Sequence, residues 1–445
     1  AVFDSGTEFG VLARHRFPGG VLIKADHQHP DEALAETSAA IAGGATTLYE
    51  AAVQFDDVLI RADILIKNSD GWHLFEVKSS TEVKDVYLQD VAIQRYVLEG
   101  AGLSISSAHV VIVDNGYVRY GALNLEKLFK VVEVTDETDA LMDTVAADLS
   151  RMKTVCAAAE APDVRIGEKC YKPYGCDFHA HCWKDVPDYS VFNLAGARWP
   201  KKEALWFSGR NVISEIPIEE KLTDYQETQR AVAKTLQPYI DRSAIRAYLT
   251  GVNFPLHFVD FETVAPAVPK FDGLRPYQTM PFQASVRVMR ERKGQTEHFE
   301  FLGDGLNDPR PALTVFLKKA IGDAGSLIAY AKSFEGGVLD KLGLTAMVPR
   351  LWDAMTPFQK AWAHFPAQNG SYSIKAVLPA IAPDLSYKGM EIAEGTAAML
   401  AYEEMMNPDI TEERRAQIAV ALKEYCGLDT LGMVRIFEWL CEVAA

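Results

Sequence analysis

Residues 255–266 read PLHFVDFETVAP, an apolar strand pattern interrupted by Asp260 and, two positions later, by Glu262. Side chains two apart on a strand project from one face, which places the two carboxylates roughly 7 Å apart along it. A carboxylate pair left unpaired in such a buried setting is costly. Two divalent ions ~3.5–4 Å apart would remove that cost and create a phosphoryl-transfer site. The simpler alternative is a strand end with a capping acid. A metal site needs more acids, and the chain offers them on suitable elements.

Glu335 opens a helix in AKSFEGGVL, directly after the strand pattern SLIAYA (326–331). Asp429 lies in YCGLDTLGM with Tyr425 four residues before it. Positions i and i+4 share a helix face, so Tyr425 and Asp429 can look into one site, where the tyrosine hydroxyl can position a water. Asp353 and His364 lie in the same region. Asp353 reads more readily as a helix cap than as a metal acid, and His364 as a structural histidine rather than a general base.

A second constellation precedes it. DDVLIRADILIK and WHLFEVKSS read as two strands joined by a turn at NSDG, followed by a helix over 84–100 and a buried strand AHVVIVD (108–114). Asp63 lies in the first strand, with Glu76 and Lys78 on one face of the next. Two carboxylates can hold a divalent cation by oxygen ligation. A lysine beside it can orient the attacking water and stabilise charge on phosphate. An Ala-rich helix follows over 136–159. Farther on, MPFQASVRVMR and EHFEFLG read as antiparallel strands, 309–321 and the segment from Phe334 as helices, and the remainder as helical to the end.

Between the two patterns, CYKPYGCDFHAHC sets Cys170, Cys176 and Cys182 apart by five residues each. Zinc ribbons use closer pairs, though a Zn²⁺ site with His179 or His181 is one reading. An iron–sulfur cluster takes four thiolates. Cys156, Cys426 and Cys441 read as buried free thiols. The stretch 165–202 is locally basic, with Arg165, Lys169, Lys172, Lys184, Arg198, Lys201 and Lys202 against Glu168, Asp177, Asp185 and Asp188.

The whole chain of 445 residues carries a net charge of −16, which argues against polyanion binding by its entire surface and leaves room for a local basic patch beside acidic metal sites. Six cysteines in this length are not a secreted disulfide framework. No apolar run reaches the ~18 residues of a membrane helix, and no signal peptide is visible, so a cytoplasmic protein with no membrane partner is expected. The opening AVFDSGTEFGVLARHRF reads like the middle of an element, with sequence expected upstream.

RAD followed by EVK resembles the PD-(D/E)XK nuclease superfamily. The resemblance implies that Asp63 and Glu76 bind Mg²⁺ or Mn²⁺ and that Lys78 serves hydrolysis. In that superfamily the next helix often carries Gln-x-x-x-Tyr; here QDVAIQRYVLEGAG places Asp90 and Gln94 at those positions. Where many relatives have a metal-binding His, TEFGVLAR has Gly10. The iron–sulfur branch of that superfamily, which includes CRISPR-associated nucleases, places three cysteines after the nuclease core and one far before it. Cys170, Cys176 and Cys182 fit the trailing three, implying a [4Fe–4S] cluster whose fourth cysteine precedes Ala1.

Asp260, Glu262, Glu335, Tyr425 and Asp429, in that order, resemble the ribonuclease-H-like DEDD exonucleases, with Glu335 where an Asp is usual. The order of blocks, with GSYSIKAVLPA (370–380) and YKGMEIAEG (387–395), resembles a bacterial family fusing the two nuclease types. The resemblance implies an α/β fold with four segments: a restriction-endonuclease-like PD-(D/E)XK domain (1–160), a cysteine segment (161–185), a helical connector (186–250) and a ribonuclease-H-like mixed-sheet domain (251–445). It implies a metal-dependent DNA nuclease with a 3′→5′ exonuclease site, acting in DNA processing, repair or defence, with DNA preferred over RNA. A noncatalytic nucleic-acid-binding scaffold and an RNA-processing nuclease are the competing readings.

Overall fold

The turn at NSDG closes because Gly71 adopts a positive φ of 142°; a Cβ there would stand 2.9 Å from the Ser104 carbonyl oxygen. This hairpin is the centre of one half of a computed structural model that describes residues 2–445, with side chains from Phe9 onward. The chain divides into two units, residues 1–164 with 265–278, and residues 165–264 with 279–445.

Unit 1 holds a six-stranded mixed sheet in chain order: β1 (Val21–Leu22), β2 (Thr47–Phe55), β3 (Val58–Asn68), β4 (Gly71–Val77), β5 (Ile105–Val113) and β6 (Phe129–Glu133). β1 with β2 and β4 with β5 are parallel, and the other pairs are antiparallel. The parallel β4–β5 pair needs a crossover, and the helix Asp85–Gly100 supplies it. Its Val91, Val97 and Leu98 share a core with Leu65, Leu74 and Val110 of the sheet. The helix Thr135–Ala157 packs on it through Val145 and Leu149 against Ala92.

Nothing in the sequence marks 265–278 as separate from its surroundings, yet it belongs with this unit. Tyr277 donates its hydroxyl to the Ser79 carbonyl at 2.6 Å. Arg119 donates to the Pro269 carbonyl at 2.8 Å, and the Gly121 N–H to Asp272 Oδ1 at 2.8 Å.

Unit 2 contains β7 (Tyr239–Ile240), β8 (Leu256–Val264), β9 (Met280–Met289), β10 (Thr296–Leu302), β11 (Ser326–Ala329), β12 (Leu351–Asp353) and β13 (Ala363–His364). A five-stranded sheet runs β10-β9-β8-β11-β12, antiparallel across β10, β9 and β8 and parallel across β8, β11 and β12; β7 and β13 form a small antiparallel pair. The central strand β8 is clothed on both faces. Leu256 and Phe258 share a core with Met433 and Phe437 of the helix Glu412–Val443. Val259 and Phe261 share another with Leu313 and Leu317 of the helix Pro309–Ile321. Asp260 and Glu262 alternate with Phe258 on the first face, the one turned to the long C-terminal helix.

The residues before β8 hold the helices Trp199–Phe207, Asp224–Thr235 and Arg242–Leu249, separated by 3₁₀ turns and irregular chain. The expectation that the chain is helical from Phe334 to its end needs correction. β12, β13 and an irregular stretch over 382–394 intervene. Pro349, Pro357, Pro366 and Pro383 each lack the N–H a continuous helix would need. Among the described residues no helix is long and apolar enough to cross a membrane.

Candidate functional site

Three elements of unit 2 deliver acids to one place. β8 carries Asp260 and Glu262. The helix Lys332–Lys341, which follows β11, carries Glu335 in its first turn. The helix Glu412–Val443 starts at Thr411, whose side chain accepts from the Arg414 N–H at 3.1 Å. It buries Ile418, Leu422, Tyr425, Asp429, Met433 and Phe437 along one stripe, so the spacing that packs the helix also aims Tyr425 and Asp429 inward. Ligand atoms of Asp260, Glu262 and Cys426 all lie within 4.8 Å of one another. The Cys426 thiol donates to Asp260 Oδ2 at 3.3 Å. Glu335 is buried, and its Oε2 has no hydrogen-bond partner among the described residues.

The electrostatics of this cluster are those of like charges kept from water. Burial, with the charges of Asp429 and Glu262, pushes the Asp260 carboxyl well above the usual carboxylate range. Burial and the Asp429 charge push Glu262 up to about 8, with Lys375 opposing. Burial and the Asp260 charge push Glu335 up to about 9. Burial raises Asp429 to about 6, opposed by a hydrogen bond from Tyr387 and by the Lys375 charge. A cluster of oxygen donors that repel one another, with an orphaned oxygen among them, is the donor set a hard divalent cation takes.

Around the acids stand groups that sequence reasoning did not single out. Lys375 donates to the Tyr425 hydroxyl at 3.1 Å and to the Ala393 carbonyl at 2.7 Å. Tyr387 donates to Asp429 Oδ1. Lys375 and Tyr387 sit inside GSYSIKAVLPA and YKGMEIAEG, the stretches whose resemblance was the available signal. Asp353 is a cap: it accepts from the backbone N–H groups of Ala331 (3.1 Å), Lys332 (3.3 Å) and Met355 (3.0 Å). It thereby fixes Ala331 at a φ of 77°, in the left-handed region, and sets the helix that carries Glu335. His364 is fully buried, with Nδ1 3.4 Å from the Tyr225 hydroxyl, and burial holds it down at about 4. It lies in the β7–β13 pair as a structural, neutral histidine.

Residues 257–373 match a domain of unknown function, DUF2779. That match contains Asp260, Glu262 and Glu335 and ends before Lys375. Over 207 residues the chain is 27% identical to the "Uncharacterized protein MG366 homolog" of Mycoplasma pneumoniae, a stretch covering 40% of this chain and 31% of that protein.

Unit 1 gathers its own set. Ile64 of β3 pairs with Phe75 of β4, so Asp63 falls beside Glu76 where the ladder ends. The Val77 N–H donates to Asp63 Oδ2 at 2.7 Å. Lys78 bridges Glu76 (2.7 Å) and Asp90 (2.6 Å), and Gln94 donates to Glu76 Oε2 at 2.8 Å. Burial and the Glu76 charge push Asp63 well up. Burial pulls Lys78 down, but Glu76 and Asp90 outweigh it and hold the ammonium above its ordinary range. Replacing Lys78 by Met leaves both acids without a counter-ion. The expected cost at pH 8 is about 1–3 kcal/mol, shrinking at pH 5 as Glu76, whose carboxyl burial holds above its ordinary range, takes up a proton, and urea unfolding at the two pH values reads it.

The cysteine segment is looser. Cys170 is buried, Cys176 and Cys182 are exposed, and all three are free thiols. A [4Fe–4S] cluster takes four thiolates, and this segment offers three. His179, one of the two histidines of the zinc reading, has its Nε2 2.8 Å from the Tyr171 hydroxyl. Among the described residues the one group of three or more potential ligands within 4.8 Å is that of Asp260, Glu262 and Cys426. Of the three cysteines read as buried, Cys426 is buried, Cys441 partly so, and Cys156 is exposed near the end of its helix.

Proposed function

We propose that unit 2 is a metal-dependent 3′→5′ exonuclease of the ribonuclease-H-like DEDD kind, acting on DNA, and that unit 1 is a PD-(D/E)XK nuclease body. The convergence of Asp260, Glu262, Glu335 and Asp429 from three elements, around oxygen atoms whose one opposing charge among the described residues is Lys375, carries this reading. Asp260, Glu262, Glu335 and Asp429 would hold Mg²⁺ or Mn²⁺, which when bound would supply Lewis-acid stabilisation of charge on the terminal phosphodiester. Tyr425, its hydroxyl accepting from Lys375, keeps its own O–H proton for orienting a water in line with the scissile bond. Lys375 brings a positive charge to that hydroxyl, where it offsets negative charge developing on the phosphate. In unit 1, Asp63 and Glu76 hold a cation and Lys78 serves hydrolysis. The preference for DNA over RNA, the cytoplasmic setting and a [4Fe–4S] cluster on Cys170, Cys176 and Cys182 rest on the family resemblance.

The test is a cleavage assay on single-stranded DNA labelled at the 5′ end, with Mn²⁺, comparing the wild-type chain with Asp260→Ala and Lys78→Ala, and with RNA of the same sequence. A ladder shortening from the 3′ end and lost in Asp260→Ala supports the exonuclease. Binding with no metal-dependent cleavage makes the chain a scaffold.

Tyr387→Phe tests how Asp429 is held. Removing a group that orients a metal ligand typically weakens the metal ~10–100-fold. The expected outcome is a right-shift of the Mn²⁺ dependence of cleavage by about tenfold, with the rate at saturating Mn²⁺ changed far less.

A further inference from the structure

Beyond the acidic cluster, unit 2 has a cavity of about 360 Å³ bordered by Tyr171, His179, Trp183, Phe192 and Trp199. Small-molecule sites run ~300–1,000 Å³. The Tyr171 and Trp199 rings lie 5.1 Å apart, His179 stacks on Trp183 at 4.8 Å, and Phe192 packs on Trp183 at 4.6 Å. Rings in an ordinary core close on one another on all sides, whereas these border open space, and Tyr171 is 44% exposed.

Polar groups accompany the rings, with Asp188, Ser190 and Asn193 also in the lining. Lys202 lines the cavity, with its ammonium 5.4 Å from the Trp199 ring centre. Its neighbour Lys201 pairs with Glu220 at 3.1 Å, while Lys202 has no carboxylate partner among the described residues. Burial holds the Lys202 ammonium below its ordinary range. The Trp183 indole Nε1 is buried without an acceptor among the described residues. A ligand for this cavity therefore has a flat π face and a nearby anion. The surrounding stretch 165–202 is the locally basic part of a chain whose net charge is −16.

We propose that this cavity binds an unpaired nucleobase of a single strand, stacked on the aromatic wall, with the strand's phosphate on Lys202. The proposal rests on nucleic acid as the chain's ligand but not on cleavage. Stacking on aromatic side chains holds any base, so little sequence preference is expected.

Titration of the full chain with a short oligothymidylate in EDTA, read by quenching of tryptophan fluorescence and by anisotropy of labelled oligonucleotide, tests it without cleavage. Trp199→Ala is expected to weaken binding roughly tenfold, and Trp199→Phe, which keeps the wall, far less. Lys202→Met is expected to weaken binding and to lower the salt slope by about one. Thymidine monophosphate is expected to bind far more weakly than the strand; equal affinity would assign the cavity to a free nucleotide and overturn the strand proposal. Oligonucleotide binding unchanged within about twofold in both Trp199→Ala and Lys202→Met overturns it as well. Because no metal is present, an inactive acidic site leaves this result intact, and an active one does not rescue it.

Discussion

Asp260→Asn is expected to abolish release of nucleotides from the 3′ end while making the metal-free protein more stable. Asp260 sits where the charges of Asp429 and Glu262 meet it and where its own charge raises Glu335. If Asp260 is a cation ligand as proposed, the rate should fall at least about a thousandfold, ~4 kcal/mol of transition-state stabilisation. The same change removes a buried carboxyl whose ionisation burial, Asp429 and Glu262 oppose. The amide oxygen can still accept from the Cys426 thiol, which now reaches Asp260 at 3.3 Å. Without metal, the variant should unfold at a higher temperature than the wild type, by roughly 1–2 kcal/mol in stability. A structural capping acid behaves in the opposite way, since its removal destabilises and leaves cleavage intact. Calorimetry in EDTA and the labelled-strand assay read both effects on one preparation.

The second large effect is on pH dependence. Glu262 at about 8, Glu335 at about 9 and Asp429 at about 6 all lie above their ordinary values of 4.5, 4.5 and 3.8. A carboxyl raised on folding binds its proton more tightly in the native state than in the unfolded one. Between the ordinary and the raised values the native protein therefore holds more protons, and stability falls as pH rises. In EDTA, stability should decline from near pH 5 to pH 9, the upper part of the fall coming from Glu262 and Glu335. On the proposed reading a divalent cation would bind the ionised acids and reverse this. At a hundred times its dissociation constant it adds ~2.7 kcal/mol, and more of that should appear at pH 8 than at pH 5.5. Thermal melts across pH, with EDTA or with Mn²⁺, measure the window directly. A flat profile in EDTA would mean that the acids are not buried together.

Short-range periodicity explains what was legible in the sequence. Asp260 and Glu262 lie two apart on a strand and Tyr425 and Asp429 four apart on a helix, so each pair must share a face wherever its element ends up. The hairpin with Gly71 at its turn was equally readable, because the turn demands a positive φ. Groups set by the path of the chain rather than by a repeat were not readable. Tyr387 lies in the irregular stretch over 382–394, where no period says which way a side chain turns. Lys375 stands on a helix of eight residues, Ile374–Ile381, too short for a lysine there to mark itself as buried against a site. Cys426 read as an ordinary core thiol, and it is fully buried; its place beside Asp260 depends on how the long helix crosses β8. The segment 265–278 carried no boundary signal, since its membership in unit 1 rests on long-range hydrogen bonds to Ser79, Arg119 and Gly121.

Anomalous diffraction from crystals of the full chain soaked in Mn²⁺ tests the central claim most directly. Density for bound ions is expected among the carboxylates of Asp260, Glu262, Glu335 and Asp429, and is expected to vanish in Asp260→Asn. Mn²⁺ found only at other acidic surfaces, with these four side chains turned away from one another, would contradict it.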